Sequence, residues 1–352
     1  MSDVIESPFG GIGHRVMSLG TDEVCRMYHK KCGADVSGAF DGLADIHLYE
    51  CGITGYRFWR PTSIAADNEL YRQFSAGWPP YYRVDRWEYG FAQRHIRPGD
   101  RVLEVGCGQG HFLARVRALC SDVVGLEPNA DAVACDGAAG LVRCARLEDL
   151  PVKYDGYFEH IVSFQVLEHV IDPVAFLRAC MDRLRKGGLL FVSTPNHDYP
   201  TYREQRDAFD LPPHHMGHFT PEVFRAVEAV IGARLVEVRA QVGPSGSSAP
   251  GPNLFAVFAR PDGVPVGEQG ALSRGICAQA VERQHGGGME LQAKGFEPAV
   301  IRADRELVIW GCGVTGTGTA ALLEKCGLQV TAYLDSSPKC VGTHVGALPV
   351  WN

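Results

Sequence analysis

The sequence predicts an α/β protein whose main body is a seven-stranded, doubly wound sheet with its last strand reversed. An irregular N-terminal segment is expected before it and a small partial α/β unit after it. From Arg101 onward, short apolar runs alternate with helical segments, the pattern of a parallel sheet with helices on both faces. A glycine-rich turn, Gly106 to Gly110, separates the first of those runs from the first helix. The last two strands, Arg234 to Gln241 and Asn253 to Arg260, are joined by Gly243 to Pro252, a Gly/Pro/Ser stretch with no helix-forming content. Parallel neighbours need a crossover of about a dozen residues or more, usually helical, so this pair is a hairpin.

At 352 residues the chain exceeds one ordinary domain, and about two are expected. Apolar residues make up 45% and charged residues 21%, which excludes a chain disordered throughout. The net charge of −7 argues against a protein whose main task is gripping nucleic-acid backbones. No apolar run approaches the ~18–20 residues that span a bilayer. Met1 to Glu6 lack a basic stretch followed by an apolar one, so they do not read as a secretory signal. Twelve cysteines are present and none forms a CxxC pair. Cys107, Cys144, Cys180 and Cys312 lie in apolar segments, and reduced thiols in a cytoplasmic protein are the expectation.

Residues 1 to about 60 are glycine-rich and irregular. From Asn68 to Arg97 the chain is aromatic (Tyr71, Phe74, Trp78, Tyr81, Tyr82, Trp87, Tyr89, Phe91), and the half from Val84 has helical spacing until Pro98-Gly99-Asp100 stops it. Arg101 to Val105 is a strand, Gly110 to Cys120 a helix, Asp122 to Leu126 a strand and Asp131 to Cys135 a short helix. Leu141 to Cys144 and His160 to Phe164 are the next strands. Asp172 to Arg185 is an amphipathic helix with Lys186-Gly187-Gly188 as its C-cap, Leu189 to Ser193 a strand, and Pro221 to Ile231 a helix capped by Thr220. Residues 261 to about 305 read as a linker with one helix, and from Glu306 a strand, a glycine turn, a helix (Thr317 to Cys326) and a strand (Val330 to Leu334) follow.

The chemistry concentrates at the first turn. Val102-Leu103-Glu104-Val105 is an apolar strand with one embedded acid, and Gly106, Gly108 and Gly110 let the backbone bend tightly and approach a ligand. The following helix offers free N–H groups to a carboxylate. Glu127 closes the second strand 17 residues after Gly110, where its carboxylate can accept from two ribose hydroxyls across the crevice. Leu147-Glu148-Asp149 follows strand three, where an adenine edge would need a donor–acceptor pair, and Gln165 follows strand four with Glu168-His169 just beyond.

Residues 84 to 260 resemble class I S-adenosylmethionine-dependent methyltransferases, through VLEVGCGQGHFL, VVGLEPN, ARLEDLP, IVSFQVLEHV, LRKGGLLFVSTPN and GHFTPEVF. The resemblance implies a Rossmann-like methyltransferase sheet and S-adenosyl-L-methionine as cofactor. It implies Glu104, Gly106, Gly108 and Gly110 at the methionine end, Glu127 at the ribose, Leu147 and Glu148 around the adenine, and Gln165 along the methionine moiety. Cys107, a small residue fitting the turn, and Pro128 belong to the same set, and Tyr82 is expected to cap the cofactor or stack on a sugar. Arg146 and Glu159 depart from the family, each standing where an aspartate is usual.

Methyl transfer to a hydroxyl needs a base, and histidine is the usual choice near neutral pH. His169 follows strand four, and His214, His215 and His218 cluster in LPPHHMGHFT on the same sheet edge. His169, His214 and His215 are the candidate catalytic residues, with packing roles as the other reading.

The leader KCGADVSGAFDGLADIHLYECGITGYRFWRP is similar to the zinc-ribbon-like leader of a subset of these enzymes. Such ribbons use two CxxC knuckles, because tetrahedral zinc wants four soft ligands. Here each knuckle keeps one cysteine, Cys32 and Cys51, with Thr54 where a second ligand would fall and Cys25 and His29 nearby, so a degenerate, metal-free leader is expected. Gly311-Cys312-Gly313-Val314-Thr315-Gly316 with Asp335 19 residues on reads alone as a dinucleotide fingerprint. Its surroundings resemble the start of the C-terminal domain of sugar C-methyltransferases, which implies a structural or substrate-enclosing role.

Four parts are expected: 1–67, the leader; 68–262, the catalytic domain; 263–305, a linker with a helix; 306–352, a partial Rossmann-like unit. The expected activity is histidine-assisted methylation, on oxygen or carbon, of a sugar, nucleotide sugar or glycan. O-methylation of a quinone-like or other small natural product is one alternative, and a non-catalytic nucleotide-binding module is another. No nucleic-acid partner and no membrane span are expected, and a homodimer is left open.

Overall fold

The chain begins with regular strands where the sequence suggests an irregular segment. β1 (Val4–Glu6), β2 (Ile12–Gly20), β3 (Asp45–Cys51) and β4 (Arg57–Arg60) form an antiparallel sheet, with α1 (Thr21–Cys32) between β2 and β3. A fifth strand, Gly217–His218, pairs with β4 from far downstream. Two things hide this sheet in the sequence. Only Gly13 and Leu19 of β2 are buried, so alternation is faint, and the closing strand is non-local. The leader cysteines do not gather: Cys51 is buried in β3, and Cys32 at the end of α1 donates its thiol to Tyr28 O. Among the described residues, the clusters with metal-ligand spacing are made by histidines and an aspartate elsewhere. Val24, Tyr28, Trp59 and Phe74 form the core of this layer, and Leu211 and Met216 from the downstream loop pack into it.

The computed structural model describes residues 2–78, 81–134, 140–199, 207–242 and 252–262, with short strands between 290 and 351. It divides into two compact units, Met1–Cys277 and Ala278–Asn352.

In the first unit α2 (Asn68–Gly77) is capped by Asp67, which accepts from Leu70 N, and is followed by α3 (Trp87–Gln93). The alternating region then runs β5 (Arg101–Val105), α4 (His111–Val116), β6 (Asp122–Leu126), α5 (Ala130–Ala134), β7 (Val142–Arg143), β8 (Phe158–Phe164), α6 (Pro173–Arg183) and β9 (Leu184–Pro195). It continues with β10 (Gly217–His218, the strand that closes the N-terminal sheet), α7 (Pro221–Ile231), β11 (Arg234–Val242) and β12 (Pro252–Ala259). The sheet order is β11-β12-β9-β8-β5-β6-β7, with β12 antiparallel to both neighbours and every other pair parallel, as the helix-free connector required. The strand order reverses at β5 and β8, and ligands of such sheets bind at the carboxyl ends beside that switch point.

One local expectation fails. Lys186-Gly187-Gly188 does not cap α6, which ends at Arg183. The glycines lie within β9, where the β8 ladder slips from Phe158↔Leu184 to His160↔Leu189, so they sit at an irregularity of the ladder rather than at a helix end.

The second unit contains β13 (Glu290–Leu291) antiparallel to β14 (Ala299–Val300). β15 (Leu307–Trp310) is parallel to β16 (Val330–Leu334), which is parallel to β18 (Leu348–Trp351), and β17 (His344–Val345) is antiparallel to β18. Gly311 to Gly316, Asp335 and the helix expected at Thr317 to Cys326 lie outside the described residues.

Candidate functional site

A crevice of about 1070 Å³ opens over the carboxyl ends of β5, β6 and β8 and is roofed by the N-terminal layer. One end is built from the glycine turn. Gly106 (φ +72°) and Gly108 (φ +53°) are left-handed. A Cβ would sit 2.4 Å from Val166 Cγ2 at the first and 2.8 Å from Tyr82 Cδ1 at the second, so neither position admits a side chain without displacement. Glu127, 8% exposed, closes β6 against this turn. Its Oε2 accepts from Gly108 N and its Oε1 from Asn129 N, each at 2.9 Å, which leaves a lone pair on each oxygen. Burial pushes its carboxyl up, against the two backbone hydrogen bonds. Tyr82 covers the turn, its hydroxyl accepting from Asn129 Nδ2 at 2.9 Å.

Glu104 is 2% exposed, and its Oε2 takes no hydrogen bond among the described residues. Burial drives its carboxyl well above the ordinary range, partly countered by Arg86. Gln165 holds φ +58°, and its N–H donates to Ser193 O at 2.8 Å. Leu147 is buried and Glu148 exposed on the short turn after β7, both at the crevice wall.

The other end is aromatic. Tyr71, Trp78, Tyr81 and Phe209 line it, and its floor is a packed trio of imidazoles. Ring centroids are 4.4 Å apart for His169 and His214, 4.9 Å for His169 and His215, and 4.5 Å for His214 and His215. A carbonyl oxygen only accepts, so hydrogen bonding assigns the tautomers. His169 Nδ1 donates to His214 O at 2.6 Å. His214 Nδ1 donates to Phe209 O at 2.8 Å, and its Nε2 accepts from the Tyr81 hydroxyl at 2.9 Å. His215 Nδ1 donates to Asp210 Oδ1 at 3.1 Å, leaving Nε2 as an acceptor 4.0 Å from Glu168 Oε1. Burial lowers all three, His169 to about 3 and His214 well below its ordinary range, while Asp210 partly offsets the effect at His215. Because both ring nitrogens of His214 are committed, the trio does not present three free ligand atoms. Glu168 is 1% exposed, and burial raises its carboxyl to about 8.

The family model described as "Methyltransferase domain" matches residues 84–232, which span the glycine turn, Glu127 and the histidine loop. Residues 84–232 form a class I S-adenosylmethionine-dependent methyltransferase domain. Among curated relatives, the ubiquinone biosynthesis O-methyltransferase of Xanthomonas campestris is 37% identical over 121 residues, 30% of this chain and 47% of that protein. The protein of the same name from Chromobacterium violaceum is 29% identical over 131 residues, 35% of this chain and 56% of that protein. The chain thus spans about half the length of the curated relatives it matches. A solved Thermotoga maritima structure, titled a SAM-dependent methyltransferase and possible histamine N-methyltransferase, aligns at 20% identity with a TM-score of 0.43, covering 55% of this chain and 98% of that one.

Of the residues expected at the methyltransferase site, Tyr82, Glu104, Gly106, Cys107, Gly108, Glu127, Pro128, Leu147, Glu148, Gln165, His169, His214 and His215 all line the one crevice. Gly110 does not. It is the left-handed N-cap of α4, one step behind the wall. Reading by motif noted Glu168 beside His169 without giving it a role, and passed over Asp210. The signal for Glu168 was an acid inside the apolar run Val166-Leu167-Glu168, but Asp210 sits in a loop with no periodicity to mark it. The domain also draws walls from outside residues 84–232, since Lys31, Tyr71, Trp78 and Tyr81 precede the matched region.

Proposed function

We propose that the chain is an S-adenosylmethionine-dependent O-methyltransferase acting on a small ring-bearing hydroxyl compound. The supporting observation is the single crevice, with unsatisfied acceptors at one end and neutral imidazoles under an aromatic wall at the other. The cofactor offers ribose hydroxyls and an ammonium as donors, and its sulfonium supplies an electrophilic methyl group. Glu127 would accept the ribose hydroxyls on its remaining lone pairs. Glu104 Oε2 would receive a donor at the methionine end, with Gly106 and Gly108 allowing close approach. Leu147 and Glu148 would frame the adenine, and Gln165, held in its left-handed turn, would line the methionine chain.

At the acceptor end His215 is the base, and His169 packs beside its ring. His214 instead braces Tyr81 and the Phe209 carbonyl. A phenol or catechol is favoured over a sugar, because the wall offers ring faces whose polar atoms already bond one another, as Tyr81 and His214 do. The similarity to ubiquinone biosynthesis O-methyltransferases also favours O-methylation of a small molecule. A sugar or nucleotide sugar stays as the second reading, supported by the C-terminal resemblance.

Incubation with methyl-labelled cofactor and separate pools of catechols, phenols and nucleotide sugars, read by mass spectrometry, tests the assignment. Label in a phenolic ether supports the first reading and label in a sugar the second. Calorimetry showing affinity for NAD and none for S-adenosylmethionine would replace both with a nucleotide-binding module.

A further inference from the structure

We propose that Asp210 is the positioning residue for His215, its carboxylate holding that ring in the tautomer whose Nε2 lone pair serves the acceptor chamber. This rests on the methyl-transfer reading given above. Asp210 is 7% exposed at the end of the helical turn Ala208–Asp210. Its Oδ1 accepts from two rings, His215 Nδ1 at 3.1 Å and His197 Nε2 at 2.7 Å.

The far side of the arrangement is equally defined. His197 Nδ1 accepts from Phe219 N at 3.3 Å, so the proton of His197 sits on Nε2 and points at Asp210. His218 stacks on His197 with centroids 4.0 Å apart and planes 7° from parallel, and its Nε2 donates to Asp210 O at 3.4 Å. The turn is anchored to α1 by the Lys31–Asp207 ion pair at 2.8 Å and by the Tyr28 hydroxyl donating to Leu211 O at 2.7 Å. Burial would raise Asp210, but His197 and His215 outweigh it and hold the carboxylate ionised.

Among the described residues, His169 has no such carboxylate partner. Its ring faces the backbone carbonyls of His214 and Gln165, which cannot take up positive charge as a carboxylate can. Around His215 stand Asp210, Glu168, His169 and His214, with His197 and Asp207 at longer range.

In the reaction, His215 Nε2 takes the acceptor hydroxyl proton while the acceptor oxygen bonds the methyl carbon. The electron pair of the breaking S–CH3 bond stays on sulfur. The positive charge lost there reappears on the imidazolium, facing the Asp210 carboxylate, so the net charge of the chamber does not change. A carboxylate fixed on the other ring nitrogen both sets the tautomer and stabilises that imidazolium.

The test uses the full chain as wild type, Asp210→Asn, His215→Gln and the double variant. Long-range 1H–15N spectra of the imidazoles should place the wild-type His215 proton on Nδ1. Turnover is read with methyl-labelled cofactor and catechol as the probe, and calorimetry with S-adenosylmethionine reports folding. Asp210→Asn should lower kcat by roughly 100-fold or more, with the catechol KM and cofactor Kd within two-fold and a flattened pH profile. The double variant should be no worse than His215→Gln, and Asp210→Glu should recover part of the loss. A wild-type His215 protonated on Nε2 overturns the proposal even if catechol is not methylated. So does an Asp210→Asn enzyme within three-fold of wild type when His215→Gln is inactive, which leaves the base assignment standing. If His215→Gln itself turns over normally, the base assignment falls and the positioning role with it.

Discussion

Replacing Glu127 with glutamine tests the cofactor crevice with little disturbance to shape. The carboxylate accepts from Gly108 N and Asn129 N, both at 2.9 Å, from a position 8% exposed. Glutamine keeps one acceptor and turns an amide NH2 toward the other N–H. The lost hydrogen bond to a charged group is worth about 1.5–3 kcal/mol. Burial acts in the opposite direction on stability, because it already holds the Glu127 carboxyl above its usual range and so penalises the ionised form in the fold. The two effects oppose each other in the free protein, and the melting temperature should move by only a few degrees. Cofactor affinity has no such counterweight, because the proposed site also loses an acceptor for a ribose hydroxyl. At about 1.4 kcal/mol per decade, the Kd for S-adenosylmethionine should rise about 10- to 100-fold. Titration calorimetry measures it, and the stabilisation that the cofactor confers in a thermal melt should shrink in step. A Kd within two-fold of wild type, in a protein that melts normally, would refute the assignment of this crevice.

Further outcomes follow from the same geometry. Glu168 has its folded pKa raised from 4.5 to about 8, so its contribution to stability is full below 4.5 and is lost as pH rises through 8. Glu168→Gln should therefore gain on wild type by a few kcal/mol in urea at pH 8.5 relative to pH 5, and an equal difference at both pH values would contradict it. His169 and His218 are depressed to about 3, so their contribution is present above 6.5 and lost as pH falls toward 3. The chain should weaken steeply over that window, and His169→Gln should weaken less steeply. Trp78→Ala removes part of the aromatic wall proposed for the acceptor and should raise the acceptor KM about 5- to 10-fold, for a loss of about 1–1.5 kcal/mol, while cofactor Kd stays put. Gly106→Ala must relieve a 2.4 Å contact with Val166 Cγ2 as well as a left-handed φ. It should lower the urea midpoint by at least the ~1–2 kcal/mol of the backbone term and weaken cofactor binding, and a variant as stable as wild type would contradict the turn geometry.

The sequence by itself determined the central sheet and one end of its crevice. A strand, a glycine turn and a helix are local in the chain, and the connector without helix content forced β11 and β12 into a hairpin. Glu127 could be placed against the turn because parallel neighbours β5 and β6 bring consecutive strand ends side by side. Lys186-Gly187-Gly188 shows the limit of local reading. The same glycines suit a helix end or an irregular strand, and only the ladder with β8 decided which. The N-terminal sheet and the aromatic end of the crevice depended wholly on tertiary structure. β4 finds its partner in Gly217–His218, and Tyr28 and Lys31 of α1 fasten the loop that carries Asp210 and His214. The sequence named the histidines but not their tautomers, nor that His214 is spent on Tyr81 while His215 leans on Asp210. Those properties belong to hydrogen bonds between groups far apart in the chain or in aperiodic loops, where neither spacing nor composition leaves a trace.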